Sequence, residues 1–194
     1  MLLNPDYISQ LKEKLDFYTD LKDQIVQQGI KINRFSKSII YALIRNDWKT
    51  AEEYVNQFKQ MIQEYRKLVA PYPQFWKNAE ISFQEYAEAM IFYIYLKENR
   101  IPSHQELGVD ESSYIQWLMD FTGELLRKAT EELINWNIEF AKKAKQTIEE
   151  IYLALLNMEL KIFDLRKKLD YVAANLNRLQ DKIFYFLTLR TQPQ

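Results

Sequence analysis

The sequence contains no cysteine in its 194 residues, so disulfides, thiolate metal sites and a cysteine nucleophile are excluded. It also contains a single histidine, His104, whereas zinc sites usually use several imidazole ligands. Together the two absences exclude thiol chemistry and most zinc chemistry.

The sequence also lacks a charge excess and a long hydrophobic run. The formal net charge is −1, so no global field attracts nucleic acid, although an enclosed basic surface would leave little trace in that number. The longest apolar run, residues 89–96, is far shorter than the roughly 20 residues that span a bilayer. The first six residues lack the basic flank and apolar core of a signal peptide. We therefore expect a cytoplasmic protein without membrane association.

Only three glycines and five prolines interrupt a chain that is 47% apolar and 27% charged. Few helix breakers in a globular composition predict long helices joined by tight connections. No repeat, low-complexity segment or composition shift divides the sequence, which predicts a single all-α domain over residues 1–194. It consists of six long helices and one short one in an antiparallel bundle. The predicted helices cover about 5–44, 48–69, 74–99, 111–134, 137–157 and 160–189, with a short helical turn at 102–108.

Two pairs of acidic residues lie in stretches that are otherwise apolar. Glu85 and Glu88 belong to the third predicted helix, and Asp120 and Glu124 belong to the helix that starts near residue 111. Spacings of three and four residues place both carboxylates of a pair on one helix face. Two such carboxylates repel by roughly 4 kcal/mol at about 4 Å when the effective dielectric is near 20. A cation, a shifted pKa or a basic partner must offset that repulsion.

The sequence alone leaves several interpretations of these acids open. They suit solvent-facing positions or partners of buried basic residues, and Arg127 or Lys128 is one turn from the second pair. The apolar neighbours of the first pair weaken that interpretation. Four carboxylates from two facing helices would instead form an oxygen site for Mg²⁺ or Mn²⁺, which can activate water and stabilise phosphoryl charge. Di-iron chemistry is excluded because it needs Glu-x-x-His on two helices.

Other candidate residues have ordinary structural explanations. Gly123 costs about 1 kcal/mol in a helix interior, which indicates close approach of a helix or a ligand. His104 is better explained as a polar residue near a helix cap than as a general base. Basic residues such as Lys37 are expected on solvated faces unless the fold places them in a cavity. Core or subunit-interface packing explains the four tryptophans better than base stacking: Trp48, Trp76, Trp117 and Trp136.

The two acidic segments, in their order and spacing, resemble the translin family, and within it translin-associated factor X. Residues 84–89, Gln-Glu-Tyr-Ala-Glu-Ala, are similar to that subunit's Gln-Glu-Tyr-x-Glu-Ala helix. Residues 120–127, Asp-Phe-Thr-Gly-Glu-Leu-Leu-Arg, are similar to its Asp-Leu-Thr-Gly-Glu-Leu-Met-Arg. Residues 35–40 and 165–170 add weaker similarity to the family's first and last helices, so the likeness extends from about residue 30 to about residue 185.

The resemblance implies a seven-helix fold that assembles into a closed, usually eight-subunit shell with nucleic acid inside. It implies a metal-dependent endoribonuclease in which Glu85, Glu88, Asp120 and Glu124 are the catalytic carboxylates and the ligands of Mg²⁺ or Mn²⁺. The chain lacks the long insert between the acidic helices of eukaryotic members, which fits a prokaryotic or archaeal homo-oligomer. Lys77 and Arg127 are candidates for RNA contact from their proximity to the acids. The alternative is a non-catalytic shell that binds RNA or single-stranded DNA.

Overall fold

The computed structural model describes residues 4–190, and within them it contains α-helices, one 3₁₀ turn and no strand. This confirms the all-α class, with six long helices and one short one. The single-domain prediction for 1–194 includes residues 1–3 and 191–194, which lie outside the described residues. The helices are α1 (Pro5–Ile44), α2 (Trp48–Val69), α3 (Trp76–Glu98), α4 (His104–Leu107), α5 (Glu111–Ile134), α6 (Ile138–Asn157) and α7 (Phe163–Arg190).

Capping residues in the sequence set most of the helix ends. The Asn4 side chain accepts a hydrogen bond from the backbone of Asp6, and Pro5 takes the first helical position of α1. Two starts differ from the sequence prediction. Residues 73–75 form a 3₁₀ turn that leads into α3, because Pro73 opens a tight turn rather than α-helix. Helix α7 begins at Phe163 instead of residue 160, after the left-handed backbone of Glu159 (φ 49°) ends the previous helix.

The chain folds as two consecutive groups of three long helices. Helices α1, α2 and α3 pack against one another, and α5, α6 and α7 do the same. The two groups meet mainly where α3 packs against α5. The second half of α3 is apolar on every face, and residues 89–93 are all buried, as the sequence predicts for a central helix. The acids of both candidate pairs therefore lie on helices at the junction of the groups.

Helix α1 runs for 40 residues without interruption and extends beyond the body of the protein. Residues 4–17 are all exposed, and Leu21 is the first buried side chain along the helix. Gly29 does not break the helix because α2 and α3 close over it: an added Cβ would lie 2.6 Å from Ser82 Oγ and 3.1 Å from Tyr65 Oη. Among residues 4–190, no helix has the length and hydropathy needed to cross a membrane.

A buried polar cluster joins the turn between α1 and α2 to the turn between α5 and α6. Lys128 Nζ donates to Glu132 Oε1 at 2.6 Å, to Asn46 Oδ1 at 2.7 Å and to the carbonyl oxygen of Ile44 at 3.0 Å. Asn137 Nδ2 donates to the other oxygen of Glu132 at 2.7 Å. Each polar atom named here has a partner, so this cluster explains why Lys128 is buried without any ligand.

Candidate active site

The fold brings the four predicted acids together where α3 packs against α5. Glu85 and Glu88 project from α3, and Asp120 and Glu124 project from α5. All four are partly buried. The negative charges of the other three acids all act on the Glu88 carboxyl group, so the two pairs form one electrostatic cluster. The sequence prediction that both pairs face each other is consistent with this arrangement.

A cavity of about 300 Å³ opens between α1, α3 and α5 beside this cluster. Three carboxylates and two cationic side chains face it, together with one tyrosine and one isoleucine. Asp120 does not line the cavity. The lining residues are Lys37, Ile40, Tyr41, Glu85, Glu88, Glu124 and Arg127. A cavity lined by both acids and bases can bind a cation through its carboxylates and an anion through its cationic side chains.

Glu88 carries the largest pKa shift among the four acids. Burial raises the pKa of its carboxyl group, and the charges of Asp120, Glu85 and Glu124 raise it further, to about 8 from 4.5. Lys168 opposes the shift but does not cancel it. Glu88 therefore carries a proton at neutral pH when no additional cation is present. A shift of this kind in a cavity is typical of functional sites, although structural clusters also produce it.

Glu124 has a buried oxygen that lacks a hydrogen bond. Burial raises the pKa of its carboxyl group, whereas Arg127 lowers it. The Nη1 atom of Arg127 lies 3.6 Å from Glu124 Oε2, which is an ion pair but is longer than a hydrogen bond. The guanidinium of Arg127 instead lies over the ring of Tyr41, 4.3 Å from its centroid. Glu124 Oε2 is thus an acceptor with unused capacity at the cavity wall.

Asp120 is paired inside the protein. Its Oδ2 atom accepts from Lys168 Nζ of α7 at 2.5 Å and from Gln84 Nε2 of α3 at 2.9 Å. The Asp120 side chain is only 20% exposed, so the pair with Lys168 is weakly screened by solvent. Lys168 therefore balances the charge of this carboxylate, and the two hydrogen bonds, from α3 and α7, hold it in position.

Helix α7 reaches Asp120 because it packs closely on α5. Gly123 leaves room for the Tyr171 hydroxyl, which an added Cβ would contact. One turn further along α7, the side chain of Asn175 donates to Thr122 Oγ1 at 3.0 Å in the buried interface. Helix–helix packing thus explains the glycine between the second pair of acids, and the ligand alternative is not needed for it.

The residues of the cluster partly fit a divalent cation. The four acids supply only oxygen donors, which suits Mg²⁺ or Mn²⁺, and Glu124 Oε2 has a free lone pair. Across residues 4–190, however, no three acidic or histidine side chains converge closely enough to hold one ion. The pairing of Asp120 with Lys168 accounts for part of this separation, since it holds one acid outside the cavity. The donor set therefore fits, and its present arrangement is more open than a bound ion would require.

A larger cavity of about 410 Å³ lies elsewhere, near the end of α2 and the starts of α3 and α5. Its wall is mainly apolar and includes Trp76 and Trp117. Its two charged residues already have partners: Arg66 donates to the carbonyl oxygen of Leu107 at 2.6 Å, and Asp110 accepts from Ser113. It has no cluster of acids or bases that could perform hydrolytic chemistry, so the smaller cavity is the candidate active site.

The other sequence candidates lie apart from this cavity. Lys77 is exposed in the first turn of α3 and does not line it, so its contact with RNA stays a prediction. His104 begins α4, and its Nε2 atom lies 3.7 Å from Glu111 Oε1. Trp117 is buried as expected, whereas Trp76 and Trp136 are largely exposed.

Three contributors to the site were not identified from the sequence. Lys37 was expected on a solvated face, yet it lines the cavity. Tyr41 is one turn further along the same face of α1, and that spacing was a usable signal. Lys168, Tyr171 and Asn175 all contact α5 from α7. No local pattern in the sequence indicates that Lys168 pairs with Asp120.

Solved structures with this fold define the class of protein. The crystal structure of apo-NeC3PO is 45% identical in sequence, superimposes with a TM-score of 0.90, and the match covers 96% of this chain and 100% of that chain. The crystal structure of AfC3PO and the structure of an AfC3PO–duplex RNA complex give TM-scores of 0.82 and 0.84 at 18% identity. Both matches cover 96% of this chain and 100% of the other chain, and they show the fold alone. This protein thus has the all-α fold of the C3PO proteins.

The Translin family model matches residues 20–191, and the chain belongs to the Translin family. An uncharacterized protein of Methanocaldococcus jannaschii is 28% identical over 177 residues, which cover 88% of this chain and 80% of the relative. The family resemblance read from the two acidic segments is confirmed.

Proposed function

We propose that this protein is a divalent-metal-dependent endoribonuclease that cleaves RNA phosphodiesters inside a closed homo-oligomeric shell of eight subunits. The observation that carries the proposal is the cavity in which three carboxylates and two cationic side chains meet, with Asp120 near enough for its charge to act on Glu88. The resemblance to translin-associated factor X and the RNA complex of the structurally similar AfC3PO support it.

In this proposal Glu85, Glu88, Asp120 and Glu124 hold Mg²⁺ or Mn²⁺. A bound divalent ion supplies an acidified water and stabilises negative charge on a phosphoryl oxygen. Lys37 and Arg127, which line the same cavity as three of these acids, bind the phosphate and orient its ester bond. The ring of Tyr41 holds the Arg127 guanidinium in place, so the phosphate meets a positioned donor.

The experiment that tests this function is cleavage of end-labelled single-stranded RNA with Mn²⁺, Mg²⁺ or EDTA. We expect metal-dependent cleavage by the wild type and a loss of at least about 100-fold in Asp120→Asn, since an amide is a poor ligand for a hard cation. Glu149→Gln, which disrupts an ion pair with Lys145 on α6, is the matched control and should retain activity. Cleavage that survives both EDTA and Asp120→Asn would contradict the proposal.

A second candidate function is a shell that binds RNA or single-stranded DNA without cleaving it. The ion pairs of Lys168 with Asp120 and Arg127 with Glu124 favour it, because they balance two of the acids without a metal. In that case the same assay retains RNA uncut in every condition, and Mn²⁺ does not raise the melting temperature.

A further inference from the structure

Lys168 is the only basic residue hydrogen-bonded to any of the four acids in the described part of the chain. Its Nζ atom lies 2.5 Å from Asp120 Oδ2, and its side chain is 25% exposed. Its charge also acts on the Glu88 carboxyl group. The charge of the ammonium group therefore acts on one acid of α3 and one acid of α5.

The pairing also separates the acids. Asp120 contacts Lys168 and Gln84 and does not line the cavity that the other three acids share. Both donors contact Oδ2 of Asp120, so a turn of this carboxylate toward the cavity, to join the other three acids around one ion, would weaken its contact with Lys168. The ammonium is a compact charge on a flexible four-carbon chain, so it can move without moving the backbone.

Helix α7 itself is fixed at this position. Tyr171 packs against Gly123, and Asn175 donates to Thr122 in a buried contact. Consequently Lys168 can leave Asp120 by a change of its rotamer, without any change in the contact between α5 and α7.

We propose that Lys168 is a positioning residue that occupies Asp120 as an internal cation in the metal-free protein and is displaced when a divalent cation binds the acids. This inference rests on the metal site of the proposed function. Lys168 then sets the metal concentration at which the site assembles, because the divalent cation competes with its ammonium group for Asp120.

The first measurement is Mn²⁺ affinity of the whole protein without RNA, by titration calorimetry. Lys168→Met keeps most of the side-chain volume and removes the competing charge, so we expect Mn²⁺ to bind about tenfold more tightly, equivalent to about 1.4 kcal/mol. Lys145→Met is the matched control, since Lys145 forms a similar pair with Glu149 at 2.8 Å and is 29% exposed. Unchanged or weaker Mn²⁺ binding in Lys168→Met would overturn the inference.

The second measurement tests whether Lys168 leaves Asp120 when Mn²⁺ binds or stays paired with it. An amine-reactive label, read by mass spectrometry on wild-type protein, reports the accessibility of each lysine. Saturating Mn²⁺ should raise the labelling rate of Lys168 several-fold and leave that of Lys145 unchanged. Equal Lys168 labelling with and without Mn²⁺ would show that the pair persists and would reject the inference.

The two proposals fail separately. If Mn²⁺ releases Lys168 but RNA stays uncut, the exchange stands and the nuclease function is wrong. If RNA is cut in an Asp120-dependent way while Lys168 labelling does not change, the nuclease stands and the exchange is wrong. If the wild type binds no Mn²⁺, both are wrong.

Discussion

Glu88 is the residue on which the electrostatics of the candidate site converge. Burial and three neighbouring acids disfavour its charged form, and Lys168 offsets only part of that effect. In the absence of metal, Glu88 keeps its proton in the folded state up to a pH near its raised pKa of about 8. In the unfolded chain the same group ionises near 4.5.

This difference predicts a stability that falls with rising pH. Between about pH 4.5 and about pH 8 the folded state binds more protons at Glu88 than the unfolded state does, so the free energy of unfolding decreases; above pH 8 the loss is complete. Melting in EDTA at about pH 6 and about pH 8.5 should show a drop that is smaller in Glu88→Gln, by on the order of 5 °C.

The surface variant Glu139→Gln should follow the wild type in the same experiment. Saturating Mn²⁺ should flatten the pH dependence of the wild type, because a bound cation favours charged carboxylates. An identical pH dependence in wild type and Glu88→Gln would contradict the assigned protonation.

Some residues of the candidate site could be predicted from the sequence and others could not. The four acids were identified because helical spacing places each pair on one face and the surrounding residues are apolar. Lys37 looked like an ordinary surface residue, and nothing near Lys168 in the sequence indicates Asp120, which is 48 positions away. The partner of a charged residue depends on which helix faces it, and that choice is made by tertiary packing.

At the scale of elements, two glycines inside helices have different neighbours. Gly29 lies under Ser82 and Tyr65, which are themselves buried and have little room to move. Gly123 faces the hydroxyl of Tyr171, a side chain that is 43% exposed and can rotate outward. The same substitution by alanine should therefore have different effects on stability in α1 and in α5.

We predict that Gly29→Ala lowers the melting temperature and that Gly123→Ala leaves it unchanged or raises it. Overpacking of a buried contact costs about 1–3 kcal/mol, which exceeds the gain of about 1 kcal/mol from alanine's helix propensity. At Gly123 the neighbouring Tyr171 side chain can rotate outward, so the gain in stability from alanine's helix propensity is kept. Thermal unfolding of both variants tests this, and a Gly29→Ala protein as stable as the wild type would show that α1 and α3 can move apart.

The positions of the helices could be predicted well from the sequence. Few glycines and prolines, together with caps such as Ser103 and Gly108, determined most ends to within a residue or two. The largest differences were at the starts of α3 and α7, two and three residues late, where a 3₁₀ turn and a left-handed residue precede the helix. Local backbone hydrogen bonds determine where such a helix starts, and the spacing of apolar residues in the sequence does not indicate these bonds.

At the scale of the whole molecule, the buried cluster of Lys128 joins the first group of helices to the second. Burial alone would raise the pKa of Glu132, but hydrogen bonds from Lys128, Asn46 and Asn137 hold it below the usual value. Lys128 is 2% exposed, so solvent cannot replace these bonds.

Lys128→Met should therefore destabilise the protein by about 3–5 kcal/mol, since it leaves the Glu132 carboxylate buried without its cation. Lys142→Met, which removes an exposed pair with Glu139, should cost less than about 1 kcal/mol. Denaturant unfolding at neutral pH measures both. If the two variants are equally stable, the cluster does not hold the groups together.

The division into two consecutive groups of helices has a consequence for synthesis on the ribosome. Residues of α1, α2 and α3 leave the ribosome first and already contain each other's packing partners, so this half can collapse before α5 is made. The candidate site contains acids from both groups of helices, and Lys168, which pairs with Asp120, belongs to α7. Chemistry at this site therefore becomes available only after α7 has been translated.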